Sequence, residues 1–198
     1  MACEIEDGVA LDCGGYTVGG INTLYLANVA DVILTRETAA GPARNAVIDI
    51  TLAPGKKFYR FDFQDGSGVA TATLQGGGEG QSTSKNFLHT IGWASPAITQ
   101  QIINIARDLG LARVVAIVES RNPNGAPTPE NRHYVLGLGN GLQAASIEGG
   151  LGQNRSDLAG FAFSLQGTEV EPQAELLPDT DLYTSARPLA ELLATLLD

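Results

Sequence analysis

The sequence predicts a mainly β fold of the α+β class, in which antiparallel strands form a sandwich or barrel and one helix packs against them. Short segments of alternating apolar and polar residues recur along the chain, separated by many of its 24 glycines, as in turn-rich β proteins. Only one segment before the C-terminal tail has a strong apolar stripe at helical spacing. Because no break in composition divides the 198 residues, we expect one domain that spans residues 1–198.

The predicted helix covers about residues 96–109. Ser95 is a favourable N-cap residue, and Pro96 would occupy the first helical position. Gly110 suits the left-handed position that follows a helix. The apolar stripe consists of Ile98, Ile102, Ile105 and Leu109. The β-branched segment 112–119 comes next and predicts a buried strand, so the helix should connect two strands.

Ten segments have the composition of strands. Residues 46–52 and 57–64 flank the turn signal Pro54-Gly55, which predicts that they form a hairpin. The predicted strands are 21–26, 31–35, 46–52, 57–64, 69–75, 87–93, 112–119, 133–138, 142–147 and 158–168.

The remaining segments are predicted as arms and loops because glycine, proline or charge interrupts their periodicity. They are an N-terminal arm of about residues 1–20, a long polar loop at 76–84, a proline-rich loop at 122–131 and an acidic arm at 169–181. A short amphipathic helix is predicted at 187–197, so the C-terminal arm and helix together occupy about 169–198. The apolar face of that helix consists of Leu189, Leu192, Leu193 and Leu196.

The charge of the chain excludes some classes of partner. Its formal net charge is −10, with a sequence pI near 4.5, which argues against a surface that grips nucleic acid through clustered Lys and Arg. A run of about 18 apolar residues, which would predict a membrane span, is absent from the sequence. The N-terminus has no basic and then apolar signal region. Cys3 and Cys13 are either two free thiols or a disulfide that closes the N-terminal loop.

A glycine cluster at residues 137–142, Gly-Leu-Gly-Asn-Gly-Leu, invites comparison with the dinucleotide-binding fingerprint. That fingerprint requires glycine at position 142 and a long helix afterwards, whereas this chain has Leu142 and a short Ala/Ser run. A β-turn or bulge is therefore the prediction. The glycines at 76–80 lack the Gly-Lys-Ser/Thr ending of a phosphate-binding loop, so a linker is predicted there.

No pattern in the sequence predicts catalysis. There is no G-x-S-x-G elbow, and His89 and His133 each lie in a predicted strand, where packing is the usual role of a lone histidine. The carboxylate pairs Asp62/Asp65 and Glu169/Glu171 have nothing that places them in a cleft. We therefore expect no catalytic residue, no cofactor and no metal site, and predict that the protein is not an enzyme.

Several stretches of the chain resemble a class of phage structural proteins from viruses of Bacteroidetes-type hosts. The N-terminal MACEIEDGVALDCGGYTVGGINTLYLANV has the Met-Ala-Cys start, a second cysteine about ten residues later and a Gly-Gly-Ile before an aromatic strand. The other stretches are KKFYRFDFQDGSGVATATLQ, VVAIVESRN, RHYVLGLGNGLQAAS and LAGFAFSLQGTEVEP. The similarity extends over most of the chain and is to the tail tube proteins (major tail proteins) of long-tailed bacteriophages.

This resemblance implies a structural virion protein. Tail tube subunits are β-sandwich or barrel modules with a flanking helix, which form hexameric rings that stack through an extended loop and terminal arms. The rings surround a channel, often acidic, that conducts DNA during ejection without sequence-specific binding. The implied partners are further copies of the chain and other tail proteins, with no membrane, and the implied location is the virion tail after assembly in the host cytoplasm. The loop at 76–84 and the arm at 169–181 are the expected contacts between rings.

Three alternatives to a tail tube remain open at this stage. The chain could be another ring of the particle, such as a tail terminator or connector, or it could be a decoration protein. A small-molecule binding domain or an enzyme would instead require a closed pocket with converging polar groups.

Overall fold

The computed structural model describes residues 20–36, 38, 45–62, 67–76, 85–96, 98–123, 131–151 and 159–176. These residues form strands, one α-helix and a single 3-10 turn at Val29–Asp31. The elements are β1 (Ile21–Asn28), β2 (Val32–Arg36), β3 (Val47–Leu52), β4 (Tyr59–Asp62), β5 (Gly68–Gly76), β6 (Lys85–Ser95), α1 (Gln100–Leu109), β7 (Val114–Pro123), β8 (Asn131–Leu136), β9 (Gln143–Gly150), β10 (Gly160–Glu169) and β11 (Ala174–Leu176).

The strands form two sheets. The seven-stranded sheet has the order β2-β3-β11-β8-β7-β1-β4, and the four-stranded sheet has the order β5-β6-β10-β9. Every pairing is antiparallel except the one between β3 and β11, which is parallel. The prediction of a mainly β fold with one packed helix is confirmed, and neither sheet closes into a barrel within the described residues.

The main hydrophobic core lies between the two sheets. Trp93 of β6 stacks on Phe163 of β10, with ring centroids 4.8 Å apart, and Phe61 of β4 lies 5.9 Å from Trp93. Leu24 and Leu26 of β1 bring the seven-stranded sheet into the same cluster. The interdigitation of these two inner faces is what defines a sandwich.

A second core covers the opposite face of the seven-stranded sheet. Ile117 of β7 and Val135 of β8 are fully buried there, in one cluster with Val47, Ile50 and Phe58. The central strands of this sheet are therefore buried on both faces, which explains why residues 114–118 form an uninterrupted apolar run.

The helix begins later than the sequence predicts. Its N-cap is Thr99, whose Oγ1 accepts a hydrogen bond from Ile102 N at 3.3 Å. Ser95 is instead the last residue of β6, paired with Phe161 of β10. The ladder to β10 holds residues up to 95 in extended backbone, so the capping assignment of Ser95 and Pro96 is wrong. Gly110 is right-handed helical rather than left-handed, and its N–H continues to bond to Ala106 O at 3.1 Å.

The predicted hairpin of residues 46–52 and 57–64 does not form. β3 pairs with β2 and β11, whereas β4 pairs with β1. The apolar side chains of the two segments enter different cores, since Phe61 of β4 packs on Trp93 and Ile50 of β3 lies in the second core. The alternation of apolar and polar residues within a strand shows which of its faces is buried. It does not show which core that face packs into.

A register shift in the pairing of β3 with β2 explains why apolar and polar residues do not alternate regularly along β3. Thr35 of β2 pairs with Asp49, and the next residue, Arg36, pairs with Val47, so Ile48 is an extra residue on the β3 side. This bulge lets Val47 and Ile50 both face the second core although they are three residues apart.

Part of the predicted C-terminal arm belongs to a sheet. Glu169 ends β10, and residues 174–176 form β11, which lies between β3 and β8. The proline-rich loop is also shorter than predicted, because Pro123 at the end of β7 pairs with Asn131 at the start of β8. The predicted arm at 1–19, the loop positions 77–84, the C-terminal helix and both cysteines lie outside the described residues.

Candidate functional site

The glycine cluster forms the connection between β8 and β9, and its conformation requires glycine at specific positions. Gly137 and Gly141 have φ angles of 76° and 77°, in the left-handed region that L side chains rarely adopt. A Cβ on Gly139 would lie 2.7 Å from Oε2 of Glu169. The turn predicted at residues 137–142 is therefore confirmed, and the glycines serve the backbone path and the close approach of Glu169.

The backbone of this loop binds the carboxylate of Glu169. Gly139 N donates to Oε2 at 3.1 Å, and Asn140 N and Gly141 N donate to Oε1 at 2.8 Å and 3.2 Å. The Asn140 side chain also donates to Thr168 O at 2.8 Å. Successive N–H groups that converge in this way form an anion-binding nest. Because a buried carboxylate of the same chain already occupies it, the loop does not have the free donors that a nucleotide phosphate would need.

His89 lies beneath the same loop, with 1% of its surface exposed. Gly137 N donates to its Nδ1 at 3.3 Å, and its Nε2 lies 3.1 Å from the carbonyl oxygen of Glu171. A neutral ring with its proton on Nε2 satisfies both contacts. Burial lowers the pKa of His89 below its ordinary value, and the nearby charge of Glu169 and the bond to Glu171 oppose that shift only in part. This histidine therefore has the packing role that the sequence favours.

These residues, together with Arg36, form what we call the corner cluster: Arg36, His89, Glu169, Glu171 and the loop 137–141. Arg36 of β2 makes an ion pair with Glu171, which lies in the connection from β10 to β11. That connection carries the chain from the four-stranded sheet to the seven-stranded sheet. A cavity of about 290 Å³ lies among these side chains. The cluster therefore anchors the corner at which the two sheets are joined.

The other candidate groups do not assemble into a reactive site. Asp62 Oδ1 accepts from Arg60 Nε at 2.8 Å on the surface, and Asp65 lies outside the described residues. His133 is buried in β8, opposite Glu119 of β7 and Leu176 of β11 in the sheet register. The described residues contain no group of three or more His, Cys, Asp or Glu side chains arranged to hold a metal ion. Within the same residues, no helix is long and apolar enough to span a membrane.

The outward face of the four-stranded sheet is polar. The strand register places alternate residues of β5, β6, β9 and β10 on this face. Ile91, Trp93 and Phe163 lie on the other face, which points into the core. These residues are Val69, Thr71, Thr73, Gln75, Asn86, Leu88, Thr90, Ala94, Gln143, Ser146, Glu148, Ala162, Ser164, Gln166 and Thr168. Glu148 is the single ionisable side chain in this set, so the described part of the face presents mainly hydroxyls and amides, with four apolar side chains and one negative charge.

Both sheets have open edges among the described residues. The edges of the seven-stranded sheet are β2 and β4, and those of the four-stranded sheet are β5 and β9. The sequence of β5, GVATATLQG, contains neither proline nor a charged residue, and Val69 and Leu74 are each 53% exposed. Soluble proteins usually protect an edge strand with lysine, proline or a covering segment. In the described residues β5 lacks the first two of these protections.

Comparison with known proteins gives no relative for this chain: no family model matches it, and neither the curated proteins nor the solved structures contain a match.

Two features of the structure were not predicted from the sequence: the bond between Glu169 and the glycine loop, and the polar face of the four-stranded sheet. The bond between Glu169 and the glycine loop joins positions about 30 residues apart, and no local pattern signals it. The polar face of the four-stranded sheet did have a signal, because Thr71, Thr73 and Gln75 alternate with Ala70, Ala72 and Leu74 along β5.

Proposed function

We propose that this chain is a structural subunit of a phage tail tube, which forms stacked rings by joining its four-stranded sheet edge to edge with neighbouring copies. The observation that carries the proposal is that the described residues of one sheet combine two open edges with an outward face on which Lys and Arg are absent. The choice of a tail tube among such assemblies rests on the resemblance of the short sequence motifs quoted above, since no family model or relative supports it.

The strand order is suited to ring closure. Successive strands in the order β5-β6-β10-β9 are antiparallel, so β5 and β9 at the two edges run in opposite directions. When a neighbouring copy is related by rotation, its β9 lies antiparallel to β5 of the first copy. Each copy then contributes both halves of the same contact, and a heterologous contact of this kind closes into a ring when the rotation permits it. Pairing would also satisfy the backbone N–H and C=O groups that have no ladder partner along both edges in the described part of the sheet.

The chemistry of the outward face fits a channel for DNA. DNA phosphates bind surfaces that offer Lys and Arg and release counterions there. On the described part of this face the ionisable group is the carboxylate of Glu148. A wall of hydroxyls and amides with a negative charge does not attract the phosphates, so DNA would pass along it without being retained.

Contacts between rings are expected from segments outside the two sheets. Because residues 174–176 belong to the seven-stranded sheet, the candidates are the loop at 76–84 and the chain beyond residue 176. The N-terminal arm at 1–20 is a further candidate.

The test introduces positive charge on the β5 edge. Val69→Lys with Leu74→Lys places two exposed ammonium groups on this strand, and we expect loss of rings and tubes because paired copies would bury those charges. Assembly is measured by negative-stain imaging and sedimentation of the purified full chain.

The matched control carries the same two charges elsewhere. Ile103 and Leu111, in and after α1, are also exposed, so Ile103→Lys with Leu111→Lys should still assemble. A wild-type chain that stays monomeric under all assembly conditions would refute the proposal, as would equal loss of assembly in both double variants. Copy number per particle separates a tube from a terminator, connector or decoration protein, since a tube subunit is expected among the most abundant proteins of the particle.

A small-molecule site is the second candidate, because a cavity of about 720 Å³ lies between α1 and the sheets. Its size is typical of ligand pockets, which measure about 300–1,000 Å³. Its polar side chains, among them Thr99, Gln101 and Asp108, do not converge in any hydrogen-bonded constellation among those described. A thermal shift with a panel of nucleotides and metal ions tests this alternative, and a uniformly flat response would dismiss it.

A further inference from the structure

The edge of β5 that has no strand partner among the described residues exposes a defined set of backbone groups. Ala94 N donates to Ser67 O at 3.1 Å, so Ser67 and Ala94 form a hydrogen-bonded pair of the antiparallel ladder between β5 and β6. Hydrogen-bonded and non-hydrogen-bonded pairs alternate along such a ladder. Every second residue from Ser67 onward therefore bonds to β6, and the residues between them direct their N–H and C=O groups away from it. The edge residues are Gly68, Ala70, Ala72, Leu74 and Gly76.

The same alternation identifies the edge groups of β9. Carried across β6 and β10, it makes Ser164 of β10 bond to Ser146 of β9. Ile147 and Gly149 of β9 therefore direct their N–H and C=O groups away from β10. Ile147 packs on the main core, so it lies on the inner face of the sheet, and the edge residues of β5 share that face. Opposite residues of paired strands must belong to the same face, so β5 of one copy can pair with β9 of another without turning either sheet over.

A bulge in β9 limits how far the two edges can pair. The register of β9 shifts between Ser164 and Leu165 of β10, which leaves Ala145 as an extra residue on the β9 side. Such a residue interrupts a regular ladder. The longest contact that stops at the bulge brings Gly76, the last residue of β5, level with Ala145.

The same register covers two exposed apolar side chains. It places Leu74, which is 53% exposed, opposite the half-buried Ile147. Leu151, which follows β9 and is 82% exposed, comes opposite Ala70. A shift by two residues in either direction would leave Leu74 opposite an alanine or a glycine of β9. Burial of apolar surface therefore favours the register that the bulge selects.

We propose that β5 of one copy pairs with β9 of the next copy in this register, which is set by the hydrogen-bonded pair Leu74–Ile147. The non-hydrogen-bonded pair beside it is Thr73–Glu148, which brings a hydroxyl to the carboxylate on the outward face. This inference rests on the proposed edge-to-edge ring and adds to it the residues that meet. Each copy uses β5 toward one neighbour and β9 toward the other.

Disulfide cross-linking tests this register. The residues of a non-hydrogen-bonded pair have Cα atoms about 4.5 Å apart, and a disulfide joins Cα atoms about 4.4–6.8 Å apart. Thr73→Cys with Glu148→Cys, in a chain that also carries Cys3→Ser and Cys13→Ser, should therefore link copies on oxidation into multimers that a reductant separates. Within one copy these two positions lie on opposite edges of the sheet, at least about 14 Å apart across three strand spacings, so the link must join two copies.

The matched controls move one cysteine by two positions along β5. Thr71 and Gln75 are exposed on the same outward face as Thr73. In Thr71→Cys or Gln75→Cys, each combined with Glu148→Cys, the two thiols would be on diagonal neighbours about 7–8 Å apart. That separation exceeds the reach of a disulfide, so the yield of linked multimers should fall severalfold.

Single variants test which edges meet. Thr73→Cys and Glu148→Cys should each give no linked product alone, because each thiol faces an unsubstituted residue of the neighbouring copy. A co-assembled mixture of the two should give linked dimers as its largest product. Linked dimers from Thr73→Cys alone would show that β5 pairs with β5 and would overturn the proposal.

Negative-stain imaging of the same samples under reducing conditions separates this inference from the proposed function. Rings or tubes that link only through the Thr73 and Glu148 positions support the register. Rings that link through a control pair, or through none of the three pairs, would overturn the register and leave the proposed ring intact. If neither the wild type nor any variant assembles, the proposed function fails and this register fails with it.

Discussion

The two sheets of this protein differ in how they expose their surfaces. The seven-stranded sheet has core on both faces of its central strands β1 and β7, where Tyr25 and Ile117 enter one cluster and Leu24 and Val118 the other. The four-stranded sheet has one face in the core, and its other face displays Thr, Ser and Gln side chains. A sheet covered on both sides contributes mainly to stability, whereas a sheet with a free polar face and open edges can also form contacts with other molecules.

The largest expected effect comes from the doubly covered sheet. Ile117 is fully buried, so Ile117→Ala should lower the free energy of unfolding by about 2–5 kcal/mol through lost burial and a residual cavity. Gln166 is exposed on the free face of β10, and Gln166→Ala should change that free energy by less than about 0.5 kcal/mol. Urea denaturation of both variants measures the difference, and equal losses would contradict the contrast between the sheets.

A smaller effect is expected at the corner that joins the sheets. Glu169→Gln keeps the shape of the side chain but replaces a charged acceptor with a neutral amide in the nest of Gly139, Asn140 and Gly141. Hydrogen bonds to charged groups are worth about 1.5–3 kcal/mol, so a loss of that order in unfolding free energy is expected.

The control for the Glu169 variant is Glu148→Gln, which removes an exposed carboxylate from the free face. It should leave the stability of the monomer nearly unchanged. If both substitutions had the same small effect, the nest would not contribute to holding the corner.

The third prediction concerns the pH dependence of the corner. Burial lowers the pKa of His89 from its ordinary value of 6.5, so the unfolded chain takes up a proton at this site before the folded chain does. The stability that neutral His89 contributes is fully present above about pH 6.5 and is lost as the pH falls from there toward the pKa of His89 in the folded chain. The free energy of unfolding then falls by at most about 1.4 kcal/mol per pH unit. The charged groups that face His89 in the corner cluster are Arg36, Glu169 and Glu171.

Chemical denaturation between pH 5 and pH 8 measures this slope. In His89→Asn, which retains a polar side chain without a titrating ring, the pH dependence of the unfolding free energy in this window should be smaller than in the wild type. An identical profile in the two chains would show that His89 is not responsible.

Much of the fold could be predicted from local pattern, and the failures have a common cause. The strand segments and the helical stripe were recognisable because alternation and helical spacing are properties of neighbouring residues. The predicted hairpin does not form because the apolar side chains of β3 and β4 pack into different cores. The helix begins later than predicted because pairing with β10 extends β6 through Ser95. In each case a partner distant in the sequence decided between local alternatives.

The same division holds for the candidate site. The spacing of the glycines at 137–142 was enough to predict a turn and to reject the dinucleotide fingerprint. It could not reveal that Glu169 occupies the nest or that His89 contacts Gly137, because those contacts join separate strands of the folded chain.

The sequence by itself determined the fold class, the position of most strands and the faces that they bury, since these follow from the order of apolar and polar side chains. Tertiary structure alone decided which strands are neighbours, which sheet keeps a free face and where the open edges lie. These properties depend on competition among distant segments for the same apolar surface and hydrogen-bonding groups, and the outcome of that competition is settled only when the whole chain packs.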